Sequence, residues 1–178
     1  MASESKVRED ISSFSCEINP DIKGFLVNRA IPFERAFKSK TYFLMDEEQF
    51  AKGNFVILAY FTVALKVLKI FELGLSNRTI KELDGFSAKM DGEVIYDFPV
   101  YLIGQVAKND TYKSAISGET VIDRAVSVIG YAQGKVGGRV VLVECENVPY
   151  LLDFYKKLGF KAIREDTDKY VQLIKLII

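Results

Sequence analysis

The sequence predicts an α/β fold with a mixed (α+β) sheet, and three segments indicate it. Residues 100–107 are an almost unbroken apolar run, which is typical of a central strand covered on both faces. Residues 118–133 carry apolar side chains at helical spacing. Residues 139–145 are rich in β-branched residues, so a helical crossover would make them a strand parallel to the first. Together the segments predict a central βαβ crossover.

Antiparallel strands are expected before this crossover. Residues 11–18 alternate imperfectly between apolar and polar positions, and residues 41–45 and 55–68 are two further strand-like runs. The last two are expected to pair as a hairpin. The three runs therefore predict an antiparallel N-terminal meander beside the central strand.

Helix signals separate these strands. Asn19, Pro20 and Asp21 form a helix start, with a capping side chain, a proline at the first helical position and an acid in the first turn. Pro32 falls inside the apolar periodicity that follows, and we expect it to kink the helix or split it in two. Residues 46–54 are expected to form a turn.

The excursion at residues 72–98 is less regular. Ser76 or Asn77 is expected to cap a short helix that ends at Gly85. The remainder is expected to be loop that faces a substrate or a partner subunit, or else only covers the surface.

The C-terminal part is expected to close the sheet with a hairpin. Gly134 is predicted to end the crossover helix, and Asn147 to cap the next one, which ends at Gly159. Residues 160–163 and 170–177 are expected to be two strands around a polar turn at 164–169.

Composition narrows the function classes. The 178 residues are expected to form a single domain, 1–178, and its 24 basic and 24 acidic residues give no net charge, which argues against a general nucleic-acid binder. The absence of histidine excludes Ser-His-Asp and Cys-His catalysis and makes a zinc site improbable, so no metal is expected. Cys16 and Cys145 are expected to be free thiols in a reducing cytoplasm. Neither a signal peptide nor a membrane span is expected.

The junction after the central strand has the composition of an anion site. Residues 113–118 are small and polar and lead directly into the crossover helix. The free N–H groups and the dipole of a helix N-terminus favour negative charge. The junction therefore predicts a pyrophosphate site, and the alternative is a connection that binds nothing.

Several segments together resemble the GCN5-related N-acetyltransferases. They are L-I-G-Q-V-A at 102–107, the loop and helix start at 113–118, and D-F-Y-K-K-L-G-F at 153–160. The stretches G-F-L-V-N-R-A at 24–30, T-Y-F-L at 41–44 and A-Y-F-T at 59–62 resemble the bacterial branch that includes acetyltransferase toxins of toxin–antitoxin pairs. The resemblance implies an acetyl-CoA-dependent N-acetyltransferase with this mixed sheet.

The resemblance also implies where acetyl-CoA binds, between the strands at 100–107 and 139–145. The implied cofactor-binding residues are Gln105, Val106, Ala107, Lys113, Ser114, Ala115, Ile116, Ser117, Gly118, Glu119 and Asn147. Ile116 stands where the family has a glycine, and a β-branched residue resists a positive φ. A non-catalytic relative with a degenerate cofactor loop is therefore the alternative function.

Two residues are the catalytic candidates. Tyr155 matches the family tyrosine that protonates the departing thiolate, and its alternative role is packing in the helix. Glu144 would serve as general base, directly or through water, or else as a solvated charge at the strand end. Cys145 is expected to be a core residue, since no histidine is present to activate it.

The acceptor remains open among small-molecule amines, protein amines and aminoacyl-tRNA. Basic residues on and after the first predicted helix are candidates for RNA contacts, or form a mixed solvated face: Lys23, Arg29, Arg35, Lys38 and Lys40. The resemblance makes a homodimer or an antitoxin the expected protein partner.

Overall fold

A computed structural model describes residues 4–164 and 169–177. The helices are α1 (Glu4–Ser12), α2 (Pro20–Asn28), α3 (Ala30–Arg35), α4 (Glu47–Ala51), α5 (Asn77–Asp84), α6 (Gly118–Val136) and α7 (Pro149–Lys157). The strands are β1 (Lys40–Met45), β2 (Ile57–Lys69), β3 (Lys89–Met90), β4 (Glu93–Val94), β5 (Asp97–Lys108), β6 (Val140–Glu146), β7 (Lys161–Arg164) and β8 (Tyr170–Leu176). Short 3-10 turns lie at Phe71–Leu73 and Asp110–Tyr112.

The main sheet has six strands in the order β1-β2-β5-β6-β8-β7, and β3 and β4 form a separate two-stranded sheet. β1 and β2 pair antiparallel, as do β6 with β8 and β7 with β8. β5 and β6 are parallel, with Tyr101 opposite Val141 and Ile103 opposite Val143. The predicted mixed sheet, the β1–β2 hairpin, the α6 crossover and the C-terminal hairpin are therefore confirmed.

The chain divides into two compact units, each with its own core. The first unit is Met1–Ala64 with Gly104–Ser127, and the second is Leu65–Ile103 with Val128–Ile178. The core of the first unit contains Ile11, Phe14, Cys16, Leu26, Ala30, Ile57, Tyr60 and Ala107. The core of the second contains Leu68, Ile70, Ile80, Leu83, Phe98, Val100, Val140, Leu142 and Ile174. The single domain stays a prediction.

The predicted first strand at 11–18 is wrong, because the chain begins with helix α1 and reaches Asn19 without a strand. Ile11 in α1 and Phe14 just after it are both buried, and the Phe14 N–H donates to the Ile11 carbonyl at 3.1 Å. Arg8 contacts Glu4 at 2.9 Å and Lys6 contacts Asp10 at 2.9 Å, both at i,i+4 spacing. These pairs support the helix before residue 11. In the predicted strand itself, the N–H groups of Ser15 and Glu17 donate to the side chains of Asn109 and Asp110 and not to a neighbouring strand.

Helix α2 begins as predicted. The Asn19 side chain accepts a hydrogen bond from the Ile22 N–H at 3.4 Å, and Pro20 occupies the first turn. The helix ends at Asn28, and α3 begins two residues later with Pro32 inside it. A proline cannot donate to, and sterically crowds, the carbonyl four residues earlier, here that of Asn28. The predicted split is therefore confirmed.

The segments at 46–54 and 72–98 contain more regular structure than expected. The predicted turn at 46–54 holds helix α4, which the Asp46 carboxylate caps by accepting from the Gln49 N–H at 2.9 Å. Helix α5 is confirmed, with Ser76 as its cap and Gly85 at φ 91° as its stop. The β3–β4 hairpin was not expected, because its strands are only two residues long.

Helix α6 passes through Gly134 and ends at Val136, so the predicted stop is wrong. The stop is a pair of glycines, with Gly137 at φ 77° and Gly138 at φ 95°. A Cβ on Gly138 would lie 2.8 Å from Cε2 of Tyr101, so this position requires glycine on two grounds. The Tyr101 hydroxyl also donates to the Gly137 carbonyl.

Helix α7 begins after Val148, and not after Asn147 as predicted. Val148 is the N-cap residue and offers no side-chain hydrogen bond, while Pro149 starts the helix. A proline at the first position has a preset φ and lacks an N–H that would need a partner. Gly159, at φ 85°, follows the helix end as expected. In the predicted turn at 164–169, residues 165–168 lie outside the described residues.

Within the described part of the chain, none of the helices is long and apolar enough to cross a membrane.

Candidate functional site

In the first unit, the predicted cofactor segment begins on β5 with Gln105, Val106 and Ala107. The Gln105 N–H donates to the Thr62 hydroxyl at 2.9 Å, so a side chain and not a strand carbonyl is its acceptor. Thr62 is buried, with 2% of its surface exposed. The Ala107 side chain packs in the unit's core. If Ala107 contacts a cofactor it would therefore do so through its main chain.

Asn109 fixes the chain where it leaves β5. Its side-chain amide donates to the Ile57 carbonyl at 2.9 Å, and its Oδ1 accepts from the N–H groups of Ser15 and Thr111. Its own N–H donates to the Leu58 carbonyl at 2.8 Å. Asn109 is 2% exposed, and it was not among the predicted site residues. An asparagine followed by Asp-Thr after a strand is a turn signal that could have found it.

The Lys108 side chain hydrogen-bonds to main-chain carbonyls of the loop at 113–118. Its Nζ donates to the carbonyl oxygens of Lys113, at 2.8 Å, and Ile116, at 3.1 Å. Among the residues of the described ranges, Lys108 has no carboxylate partner, so its positive charge is not neutralised by an ion pair. Lys108 is the second residue that the sequence pattern did not reveal.

Lys113, in contrast, is paired. Its Nζ lies 3.1 Å from Oδ1 of Asp110, and the other Asp110 oxygen accepts from the Glu17 N–H at 2.6 Å. The backbone donor from Glu17 and the Lys113 ammonium hold the pKa of Asp110 below its ordinary value. Lys113 therefore serves first as a local ion-pair partner.

Backbone N–H groups at the start of α6, directly after the loop, are available as hydrogen-bond donors. The Ser117 hydroxyl accepts from the Thr120 N–H at 3.0 Å and so caps the helix. Gly118 and Glu119 are the first helical residues, and their N–H groups have no acceptor within the described ranges. Ser114 and Ala115 are exposed. The N-terminus of α6 therefore retains donors that could hold an oxyanion.

Ile116 does not adopt the left-handed conformation of a glycine. Within residues 4–164 and 169–177, the non-glycine residues with positive φ are Phe37 and Asp91. Ile116 is half-buried and its carbonyl accepts from Lys108. The loop thus closes without a positive φ at position 116. The isoleucine side chain still occupies space that a glycine would leave open.

In the second unit, Tyr155 lies on α7 and is 6% exposed. Its ring packs edge-on against Phe154, at 5.1 Å between centroids, and against Phe160, at 5.6 Å. Burial, followed by the nearby Cys145 thiol, raises the pKa of Tyr155 well above its ordinary value. Within the described ranges its hydroxyl has no hydrogen-bond partner. The phenol is therefore fully protonated at neutral pH.

Glu144 lies near the carboxyl end of β6, and two side chains bind its carboxylate. Lys66 Nζ lies 2.7 and 2.8 Å from its two oxygens, and Gln172 Nε2 donates to Oε1 at 2.8 Å. Burial acts to raise the pKa of Glu144, but these donors outweigh it, and the pKa falls below its ordinary value. The carboxylate is ionised and already occupied.

The neighbours of Glu144 have other environments. Cys145 is a buried free thiol whose pKa is raised, first by burial and then by Glu146, so the expectation of a core residue is consistent with its burial. The Asn147 N–H donates to the Lys169 carbonyl at 3.0 Å, while its side chain is exposed. Glu144 and Asn147 thus both lie at the carboxyl end of β6, and Tyr155 lies on the helix that follows.

Two of the five residues of the predicted RNA face, Arg35 and Lys40, form ion pairs with acidic side chains. Arg35 pairs with Glu4, and Lys40 Nζ lies 2.5 Å from Oε1 of Glu34. Lys38 lies over the ring of Phe33 at 5.4 Å. The alternative of a mixed solvated face fits these contacts better.

No known protein-family model matches the chain, and no curated protein matches it. Solved structures do match. One is AtaT complexed with acetyl-methionyl-tRNAfMet, with a TM-score of 0.69 and 18% identity over 92% of this chain and 86% of that one. A second is a tyrosine-to-phenylalanine mutant of KacT, with a TM-score of 0.71 and 17% identity over 94% and 87%. A third is AtaTR bound with AcCoA, with a TM-score of 0.68 and 18% identity over 93% and 86%.

These matches span nearly the whole of each chain, at identities below one in five residues. They show a shared fold. The chain therefore has the GCN5-related N-acetyltransferase fold, as the resemblance implied, and its solved structural neighbours include toxins.

Proposed function

We propose that this chain is an acetyl-CoA-dependent N-acetyltransferase that transfers an acetyl group to a primary amine. The observation that carries the proposal is the match along 93% of the chain to AtaTR bound with AcCoA. The contacts around individual residues of this chain support a role for each.

The loop of the first unit fits a pyrophosphate. Gly118 and Glu119 offer unused N–H groups, and Lys108 brings a positive charge that no carboxylate neutralises within the described ranges. The loop residues Ser114, Ala115, Ile116 and Ser117 would contribute main-chain atoms. The Glu119 carboxylate interacts favourably with the helix dipole but would repel a bound anion. Bound acetyl-CoA would supply the activated acyl group. Gln105, Val106, Ala107 and Asn147 remain proposed contacts to it.

Tyr155 would act as the general acid. Its raised pKa keeps the proton on the hydroxyl at neutral pH but also makes it a weaker acid. The phenol would therefore first hydrogen-bond to the developing thiolate and transfer its proton as negative charge builds up on the sulfur. Structures of tyrosine-to-phenylalanine mutants have been solved for both AtaT and KacT. A single tyrosine was therefore chosen for removal in both proteins.

Glu144 is the weaker of the two catalytic assignments. A general base works best when its pKa lies near the working pH, whereas Lys66 and Gln172 lower the pKa of Glu144 below its ordinary value. The contacts favour a structural ion pair, and the general-base role remains a proposal for mutation to test.

For the acceptor we propose the α-amino group of an aminoacyl-tRNA, because AtaT was solved with acetyl-methionyl-tRNAfMet. An AtaT mutant has also been solved bound to the C-terminus of the antitoxin AtaR, and KacTA has been solved as a complex with DNA. We therefore propose an antitoxin, or a second copy of the chain, as the protein partner and the cytoplasm as the compartment.

A specific observation favours a second candidate, a non-catalytic binding module with this fold. The Ile116 side chain stands where the family has glycine, and the Lys113 charge is paired with Asp110. Both features would weaken a pyrophosphate site.

Thermal unfolding with acetyl-CoA and with CoA separates the two candidates. A ligand that binds only the native state increases the free energy of unfolding by mass action, by about 2.7 kcal/mol at a hundredfold excess over Kd, and so raises the melting temperature. We expect a saturable shift with both compounds. No shift at millimolar acetyl-CoA would support the non-catalytic module.

A further inference from the structure

A separate basic pocket lies in the second unit, next to helix α5. It has a volume of about 410 Å³ and is lined by Arg78, Lys81, Glu82, Gly85 and Arg139. Three of these five residues are cations and one is an acid. A concave site with a net positive lining concentrates the local potential and attracts anions, in a chain whose net charge is zero.

The three cations have no partners of their own. Within residues 4–164 and 169–177, Arg78, Lys81 and Arg139 form no ion pair and no hydrogen bond through their side chains. Glu82 follows Arg78 at i,i+4 spacing, where a pair is common, yet the two form no ion pair. Some cations of the described ranges do form ion pairs, as Lys66 does with Glu144, so these three charges remain available to a bound anion.

Arg139 is fixed in place by packing. A Cβ on Gly85 would lie 1.5 Å from its Nη1 and 2.6 Å from its Cζ, so the guanidinium lies directly against the Gly85 backbone. Its Nε is buried and has no hydrogen-bond partner among the described residues. Buried donors are usually satisfied, so Arg139 retains unused hydrogen-bonding capacity beside a pocket lined by cations.

The pocket is distinct from the proposed reaction site. Arg139 immediately precedes β6, whereas Glu144 and Asn147 lie at the carboxyl end of the same strand. A strand of this length spans roughly 20 Å at about 3.3 Å per residue. A ligand in the pocket would therefore not contact those residues.

We propose that Arg78, Lys81 and Arg139 bind a phosphate group, and that its source is the phosphodiester backbone of an RNA substrate. A guanidinium offers paired donors that match phosphate oxygens, and a lysine adds a point charge. The RNA source rests on the proposed acceptor, aminoacyl-tRNA. The phosphate chemistry does not depend on it.

The test compares the wild-type chain with Arg78→Gln/Lys81→Gln and with a charge-matched control, Lys52→Gln/Lys161→Gln. Both control lysines are exposed and lie outside the pocket. Inorganic phosphate binding is measured by thermal shift against sodium chloride of equal ionic strength. Binding of a short labelled RNA duplex is measured by anisotropy over a range of salt concentrations, without acetyl-CoA.

We expect the pocket variant to lose the phosphate shift and to bind the duplex at least tenfold more weakly. Its slope of log K against log salt should fall by about 1, since the pocket holds one phosphate and each phosphate contact contributes roughly 0.7 to 0.9. The control variant should keep the wild-type slope. Arg139→Gln gives an independent reading of the same site, because it changes a different element.

Each outcome decides one part of the proposal. If phosphate binding weakens and RNA binding does not, the pocket takes free phosphate and the RNA source is overturned. If neither measurement differs from the control, the pocket proposal is wrong. Acetyl-CoA binding is expected to persist in the pocket variant, because the pocket lies apart from the proposed reaction site. A wild-type chain that binds phosphate and not acetyl-CoA would contradict the proposed function and leave the pocket proposal intact.

Discussion

Lys66 on β2 binds both carboxylate oxygens of Glu144 on β6, at 2.7 and 2.8 Å. Gln172, which lies opposite Glu144 on β8, adds a third hydrogen bond. The two charged side chains are about one-third exposed, at 37% and 32%. These hydrogen bonds therefore connect side chains of the three strands β2, β6 and β8. The donors from Lys66 and Gln172 account for the lowered pKa of Glu144.

Glu144→Gln is expected to show a pH-dependent loss of stability. The pKa of Glu144 is lower in the folded than in the unfolded protein, so its contribution is present above the unfolded value, about 4.3, and is lost as pH falls through the folded value. Near neutral pH the loss should be below about 1 kcal/mol, because solvent screens the pair. Urea unfolding at about pH 7 and pH 3 measures it.

Glu146→Gln, two residues along the same strand, is the matched control, since it removes a carboxylate that forms no ion pair with Lys66. A stability difference for Glu144→Gln that is equal at both pH values would contradict the pairing. Acetyl transfer by Glu144→Gln tests the remaining assignment, since an unchanged rate would remove Glu144 as the general base.

Thr62→Val should destabilise the first unit by about 1–2 kcal/mol, because it removes the acceptor of the Gln105 N–H while keeping the side-chain shape. Hydrogen exchange of the Gln105 amide should accelerate in the same variant. Thr62→Ser keeps the hydroxyl and is the matched control. Equal exchange rates in the valine and serine variants would show that the hydroxyl does not hold this amide.

Gly85→Ala and Gly134→Ala should change stability in opposite directions. Gly85 has φ +91°, and a Cβ there would collide with Arg139, whereas a Cβ on Gly134 inside α6 would meet no atom of a neighbouring element within 4 Å. An L-residue in the left-handed region costs about 1–2 kcal/mol, and alanine in a helix gains about 0.5–1 kcal/mol over glycine. Denaturant midpoints measure both. A stabilised Gly85→Ala variant would contradict the packing of Arg139.

Lys108→Met should weaken acetyl-CoA binding more than Lys113→Met does. Lys108 carries the unpaired charge beside the loop, while Lys113 is paired with Asp110. Loss of one charge-assisted contact of ~1.5 kcal/mol corresponds to about tenfold in Kd. Isothermal titration of both variants with acetyl-CoA measures the difference, and the reverse order would assign the phosphate contact to Lys113.

Much of the fold was predictable because long apolar patterns decide it. The runs that became β5, α6 and β6 each bury a complete face, so their periodicity is strong. The prediction of a strand at 11–18 failed because Ile11 and Ser12 end α1, and the N–H groups of Ser15 and Glu17 donate to side chains distant in sequence, those of Asn109 and Asp110. The prediction at Gly134 failed because a glycine can lie inside a helix that continues to a stronger stop.

The candidate site was predictable only where a local motif carries it. Tyr155 lies in a recognisable segment and the loop at 113–118 precedes an obvious helix. Lys108 and Asn109 act through bonds to carbonyls of Ile116 and Ile57, and such pairings depend on tertiary structure. The pairing of Glu144 with Lys66, 78 positions apart in sequence, was equally invisible.

The most direct test of the proposed acetyltransferase is transfer of labelled acetyl from acetyl-CoA to charged tRNA by the wild-type chain and by Tyr155→Phe. Since the hydroxyl has no hydrogen-bond partner in the described ranges, its removal should leave stability and acetyl-CoA affinity nearly unchanged. We predict transfer by the wild type and a loss of about a hundredfold or more in the variant. Equal rates in the two proteins would remove Tyr155 from the mechanism, and no transfer by the wild type to charged tRNA or any other amine tested would contradict the account.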